Sequence, residues 1–447
     1  MSTPRAATAG TAGGVSRRRS LVTVLGIVFI DLLGFGVIIP ILPFYVRSFG
    51  VSDVFIGLLA ASYSLTQFVF APLLGRLSDE RGRRPVLMLS VFGSAVAWTI
   101  FGLGGEFETL FGTVGALGAL FAARMLAGAM GGNIATAQAY ITDVTPPADR
   151  AAALGLVGAT FGLGFVFGPA LGAVVASDPV VAVARDILPA FVPATSFSLP
   201  SFLAAGLSLL AFVAAALFLP EPNRKRTTRR GGGLVVQFRT ALSDADLRPL
   251  VLIFLVVSVA FSGVQVAFIP FVADIYQYDE AQAGLLLTYI GVLGVLNQGV
   301  VVRALSRRYA DTRLAVGGAT LLLCSLVLIP FAPPIGRALF PSVLGASPEL
   351  LALLLTLAVL SSGNGLLNVG TASMVSAAAD EESQGSAFGV TQGAGSLGRT
   401  VGPPVMTAIY VLAYWAPFLL GAALTVAVVA GLVALVRRST VFTEAPA

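Results

Sequence analysis

The chain reads as an all-α integral membrane protein: twelve transmembrane helices in two pseudo-symmetric six-helix bundles. Three observations carry that reading. Of 447 residues, 56% are hydrophobic and only 11% are charged, too few charges to cover a soluble protein of this size. The apolar residues gather into twelve runs, each long enough to cross about 30 Å of hydrocarbon, which takes roughly 20 helical residues. The last six runs repeat features of the first six.

The runs fall at 21–46, 54–74, 85–105, 110–142, 151–176, 201–220, 249–275, 282–302, 314–333, 348–372, 385–410 and 413–436. The first is too long and uninterrupted for a cleaved signal peptide, and Pro40 and Pro43 bend its far end. The second and third are separated by GRLSDERGRRPVL, Gly75 to Leu87, in which six of thirteen positions are charged. Such a segment stays out of lipid, and Gly82 permits the tight connection. In the fifth, Gly164 and Gly168 lie four apart on one face and admit a close neighbour, while Pro169 bends the helix. Residues 1–20 are expected to be a disordered cytoplasmic tail, 21–220 the first bundle, 221–248 a cytoplasmic linker, 249–436 the second bundle and 437–447 a second tail.

Charge placement sets the orientation. With a cytoplasmic N-terminus, 22 of the 27 Lys and Arg residues lie on that side, Arg47, Arg185 and Arg337 lie outside, and Arg124 and Arg399 lie within spans. The positive-inside rule therefore puts both termini in the cytoplasm. Read this way, the net charge of +5 is a topology signal, and no nucleic acid is expected. The lone Cys324 allows no intramolecular disulfide. The chain has no histidine, so proton exchange near neutral pH falls to carboxylates.

The repeat is explicit. Gly57-Leu58-Leu59 matches Gly284-Leu285-Leu286, and the same offset of 227 carries Arg76 onto Arg303. Gly155, Gly164, Gly168 and Pro169 recur 234 residues later as Gly389, Gly398, Gly402 and Pro403. Two related six-helix halves fit a transporter with a site near the bilayer midplane.

Asp31 is the one carboxylate placed deep in a span. A charged carboxylate there is expensive and commonly marks an ion or substrate pathway, so Asp31 is a candidate for proton coupling or cation binding; a structural interhelical bond is the plainer alternative. Arg124, at mid-depth in the fourth span, is its candidate electrostatic partner. Gln67, Asn133, Gln265, Asn297, Asn364, Gln392 and Arg399 are candidate cavity-lining residues, each of which could equally bridge helices. No nucleotide-binding lysine motif, metal-ligand cluster or catalytic triad is present, so no enzyme, metal or cofactor is expected.

On these motifs the chain resembles the major facilitator superfamily, in its twelve-span drug:proton antiporter branch, over essentially residues 20–440. GRLSDERGRRPVL resembles the family's hallmark loop. Leu33-Gly34 with Pro40 and Pro43 resembles the first-helix motif, Arg124 and Gly128 the fourth-helix motif, and Gly164, Gly168, Pro169 and Gly172 the antiporter motif of the fifth, with Ala173 in place of its final glycine. VFIDLLGFGVIIPILPFY is most like tetracycline-efflux proteins. That group's intramembrane acids and histidine are missing, with Ala97, Asn297 and Leu322 at or near their places, which argues against tetracycline as cargo.

The resemblance implies proton-coupled export of lipophilic or cationic small molecules from a cell (inner or plasma) membrane, with lipid, protons and substrate as the only partners and a monomer as the default. A metabolite carrier of the same fold is the alternative. It also implies a cytoplasmic gate of Gly75, Asp79, Gly82, Arg83, Arg84 and Asp143, with Asp79 and Arg83 pairing with Asp143 and Asp79 facing the start of the eleventh helix. Ser306 replaces Asp79 in the second half, so the gate is expected to be asymmetric.

Overall fold

The computed structural model describes residues 9–146, 149–222, 239, 241–342, 347–379 and 384–438, and its regular elements there are all helical. The long helices are α1 (Ala9–Ile38), α2 (Val54–Arg81), α3 (Arg83–Gly102), α4 (Gly104–Met130, resuming as Asn133–Val144), α5 (Arg150–Ala176), α6 (Ser198–Phe218), α7 (Leu247–Tyr276), α8 (Glu280–Leu296), α9 (Asp311–Leu328), α10 (Pro348–Ala378), α11 (Gln384–Leu412) and α12 (Ala416–Arg438). Among the described residues, eleven helical stretches are long and apolar enough to cross a membrane. The twelfth, α11, has 29 residues and ample length. Its Gly, Ser, Thr and Gln content lowers its hydropathy, which a helix packed inside a bundle tolerates.

Several boundaries differ from the sequence reading. α1 starts at Ala9, ahead of the expected position 21. Adding turns to an existing helix avoids the cost of nucleation, and Arg17-Arg18-Arg19 next to the span are good helix formers, although Gly10, Gly13 and Gly14 are not. The far end of the first run is broken, not merely bent: α1 stops at Ile38, and a separate short helix, Leu42–Ser48, follows. The charged segment after Gly75 is not a loop either. α2 continues to Arg81, Gly82 alone is non-helical at φ 112°, and α3 begins at Arg83. Arg76 to Arg81 can stay helical because nothing in that stretch lacks a backbone donor, and Pro85 falls in the first turn of α3, where no such donor is needed. α8 is prolonged by a π-helical turn, Asn297–Val302, and a last turn to Ser306. Asp279 and Gln282 form a reciprocal capping box at its start. Residues 1–8, 223–238 and 439–447, which hold most of the expected linker and parts of both tails, lie outside the described residues.

The chain forms two compact units: residues 1–41 with 66–229, and residues 42–65 with 230–447. This division departs from the two sequence halves, because the short helix and the first turns of α2 belong to the second unit. In the first unit, Val24, Ile27 and Val28 of α1, Leu87 and Val91 of α3, Tyr140 and Ile141 of α4, Val157 of α5 and Ala211 and Ala215 of α6 share one buried cluster. α5 lies directly on α1. A Cβ on Gly164, Gly168 or Gly172 would lie 2.7, 2.6 and 2.6 Å from Leu32 Cβ, Gly36 Cα and the Val37 carbonyl oxygen. Only glycine permits backbones this close.

The second unit repeats the device. A Cβ on Gly398 or Gly402 of α11 would lie 2.6 and 2.7 Å from the Cβ atoms of Ser258 and Ser262 on α7. The first turns of α2 pack here too, where a Cβ on Gly57 would collide with the Thr407 hydroxyl and Pro403 carbonyl of α11.

Candidate functional site

Asp31 lies on α1 one turn before Phe35, on the part of the helix that the α5 glycines approach. Its carboxylate accepts hydrogen bonds from Ser94 Oγ of α3 at 3.2 Å and from Asn133 Nδ2 of α4 at 3.3 Å. Both donors are neutral and nearly fully buried. Asn133 is there because α4 is interrupted: Gly131 and Gly132 form a turn, and Asn133 is the first residue of the resumed helix. Gln67 Nε2 of α2 donates to the Gly131 carbonyl at 3.3 Å and satisfies part of the break. The buried Asn133 Oδ1 has no hydrogen-bond partner among the described residues.

Arg124 is buried in α4, with its guanidinium 5.8 Å from the centre of the Phe35 ring. Phe35 also meets Phe165 of α5 edge-on at 6.4 Å. Arg124 therefore sits one helical turn along α1 from Asp31, on a cation–π contact. Ser94 and Phe35 escaped the sequence reading, since nothing in a lone serine or one phenylalanine among thirty marks a role.

The other candidate polar residues separate by environment. Asn297 is buried in a bridge between α8 and α10: its Nδ2 donates to Ser361 Oγ at 3.1 Å, and its Oδ1 accepts from Ser362 Oγ at 3.2 Å. Asn364 accepts from Asn368 within α10 at 3.0 Å, and Arg399 donates to Ser396 within α11 at 2.9 Å. Gln265 and Gln392 are exposed.

The charged connection folds tightly onto the first unit. Arg83 Nη1 reaches Asp79 Oδ1 at 2.7 Å and Ser78 Oγ at 2.6 Å, while its Nε donates to Asp143 Oδ2 at 3.0 Å. Arg84 Nη2 donates to the Ala216 carbonyl at 2.6 Å. Glu221 completes the cluster, accepting from the backbone N–H groups of Arg83 at 2.7 Å and Arg84 at 2.9 Å. These are free amides at a helix start, where a carboxylate is favoured. Glu221 lies at the edge of the linker and gave no motif signal. Gly75 faces open space. In the second half, Ser306 turns back to bond the Arg303 carbonyl at 3.3 Å. The start of α11, which Asp79 was expected to face, follows residues 380–383, which lie outside the described residues.

A further polar cluster lies within the second unit. Arg47 binds Asp53 at 2.6 and 2.8 Å and Asp274 at 2.7 and 2.9 Å, and Tyr410 Oη donates to Asp274 at 2.6 Å. Burial disfavours the Arg47 charge, but the bonds and charges of the two carboxylates outweigh it and raise its pKa above the ordinary arginine value. The only sequence signal was that Arg47 is one of three arginines expected outside, on the side the positive-inside rule leaves poor in cations.

Known proteins match this architecture. The family model described as Major Facilitator Superfamily matches residues 24–344. The chain belongs to the major facilitator superfamily. It is a membrane transporter for a small molecule, not an enzyme. Among relatives of this superfamily, the class C tetracycline resistance protein of Escherichia coli is 30% identical over 397 residues, covering 88% of this chain and 89% of that protein. The quinolone resistance protein NorA of Staphylococcus aureus is 24% identical over 305 residues, covering 68% and 72%. The structure of the human organic anion transporter MFSD10 aligns with a TM-score of 0.63 at 23% identity, covering 93% of this chain and 99% of that one.

Proposed function

We propose that this major facilitator protein is a proton-coupled antiporter that exports small lipophilic or cationic compounds by alternating access. The observation that carries the reading is Asp31 held inside the first unit by two neutral donors, Ser94 and Asn133. Hydrogen bonds to a carboxylate are worth roughly 1.5–3 kcal/mol each, enough to hold it without an ion pair. When Asp31 takes up a proton, one of its oxygens becomes a donor. Rotation of the Asn133 amide would then offer it Oδ1, the atom that now has no partner. One residue can thus serve both protonation states, and a cationic cargo would compete with the proton for the same carboxylate.

Arg124 is assigned the tuning role, because a shift of α4 against Phe35 changes the positive field at Asp31. The glycine contacts of α5 keep its backbone against that part of α1, so movement of α5 is transmitted directly. The cluster of Asp79, Arg83, Arg84, Asp143 and Glu221 is assigned as a cytoplasmic latch, with Gly82 as its hinge. Its placement rests on the arginine distribution, which supports cytoplasmic termini in an inner or plasma membrane. One chain carries the whole assigned pathway, which supports a monomer. The resistance relatives support an efflux role, whereas Ala97, Asn297 and Leu322 speak against tetracycline itself.

The test is transport in proteoliposomes under an imposed pH gradient, with a panel of organic cations and neutral lipophiles. Wild type should accumulate cargo against its gradient, and Asp31→Asn should not. A second reading, an organic-anion carrier, is favoured by the likeness to the human transporter and by the buried Arg124. Uptake of anions indifferent to the pH gradient and to Asp31→Asn would select it.

A further inference from the structure

At one end of the second unit, the end of α7, a short helix after α9 (Ala332–Leu339) with the turn before it, the start of α10 and the α11–α12 turn line an open cleft of about 520 Å³. Its walls include the rings of Tyr276, Tyr278, Phe331 and Tyr414. Tyr276 and Tyr278 stand 5.5 Å apart at 41°, and Phe271 braces Tyr276 at 5.8 Å and Tyr414 at 6.1 Å from behind. Tyr276 Oη also donates to the Glu349 carbonyl at 3.4 Å. Tyr276 is therefore held on several sides, while Phe331 and Tyr414 stay partly open to solvent, 43% and 40% exposed.

Two charges line the cleft, Glu349 and Arg337. They are unequal in depth: the Glu349 side chain is 25% exposed and Arg337 is 65% exposed, with their closest approach only 3.7 Å. Such a long, wet contact contributes little, so Arg337 can leave it for solvent while Glu349 stays among the rings. The field of Glu349 is felt there, since burial first and its charge second raise Tyr278 above the usual tyrosine value.

We infer that this cleft binds an organic ammonium ion, with Glu349 as its counter-charge and the tyrosine and phenylalanine rings as its walls. Aromatic faces attract cations, most strongly where water is displaced, and the volume lies within the usual range for small-molecule sites. The site shares no residue with Asp31 and its donors, so it is a second site, independent of the transport reading.

The experiment is equilibrium dialysis of radiolabelled benzyltrimethylammonium against purified full-length Asp31→Asn protein. One saturable site is expected. Adding Glu349→Gln or Tyr278→Ala should weaken it about tenfold. Adding Arg337→Gln should tighten it several-fold, a gain that misfolding does not produce. The inference is overturned by no saturable binding, by unchanged affinity in Glu349→Gln or Tyr278→Ala, by weaker binding in Arg337→Gln, or by displacement with benzenesulfonate at equal affinity. Normal driven transport by Asp31→Asn would sink the coupling assignment and leave this site standing.

Discussion

The Glu221 carboxylate occupies the space that a side chain on Gly82 would need. A Cβ there would lie 2.8 Å from Glu221 Oε1, and Gly82 has φ 112°. Gly82→Ala is therefore strained by its backbone and obstructed by its neighbour, a cost of about 1–3 kcal/mol. A lower thermal unfolding midpoint in detergent is expected. Gly75→Ala, inside a helix with nothing within 4 Å, should not lower the midpoint and gains up to about 1 kcal/mol from helix propensity; an equal loss would remove Glu221 from the account.

Asn133→Leu takes one of two donors from Asp31 and leaves a similar volume. The lost bond, roughly 2 kcal/mol to a charged group, should reduce pH-driven transport at least tenfold in proteoliposomes. Ser94→Ala should act in the same direction, and Asn364→Leu should not.

Gly168→Ala puts a methyl group against Gly36 Cα, 2.6 Å away. Overpacking of this kind costs about 1–3 kcal/mol. Gly155→Ala on the same helix meets nothing within 4 Å and should be neutral or stabilising by up to about 1 kcal/mol. Unfolding midpoints of the pair decide whether the α1–α5 approach is as close as described.

Asp274→Asn removes the charge that holds Arg47 to α7, while Asp53 remains. Hydrogen exchange of residues 42–65 should speed up, with the rest of the second unit protected as before. Unchanged exchange would mean that the Gly57 contact with α11 alone secures the segment.

Much of this architecture is legible in one dimension. Lipid demands long apolar helices, so the spans announce themselves as apolar runs, and α11 is marked a second time by Gly398, Gly402 and Pro403 repeating α5. Asp79, Arg83 and Asp143 stand out through the likeness of GRLSDERGRRPVL to the family's hallmark loop, and an intramembrane Asp31 stands out because so few charges enter spans. Less visible are the partners that matter by contact. Glu221 lies 138 residues from Arg83, and Asp274 lies 227 from Arg47. Among many buried polar side chains, neither Ser94 nor Asn133 carries a local sign of meeting Asp31.

The membrane's energetics act on each segment separately, which is why span number, helix class and the costly residues can be read from order and composition. Hydrogen bonds and packing act between segments, at ångström range. Only the folded chain could separate Asn133, which touches Asp31, from Asn297, which bridges α8 and α10. It alone could assign residues 42–65 to the second unit, because Gly57 and Arg47 find their complements on α11 and α7.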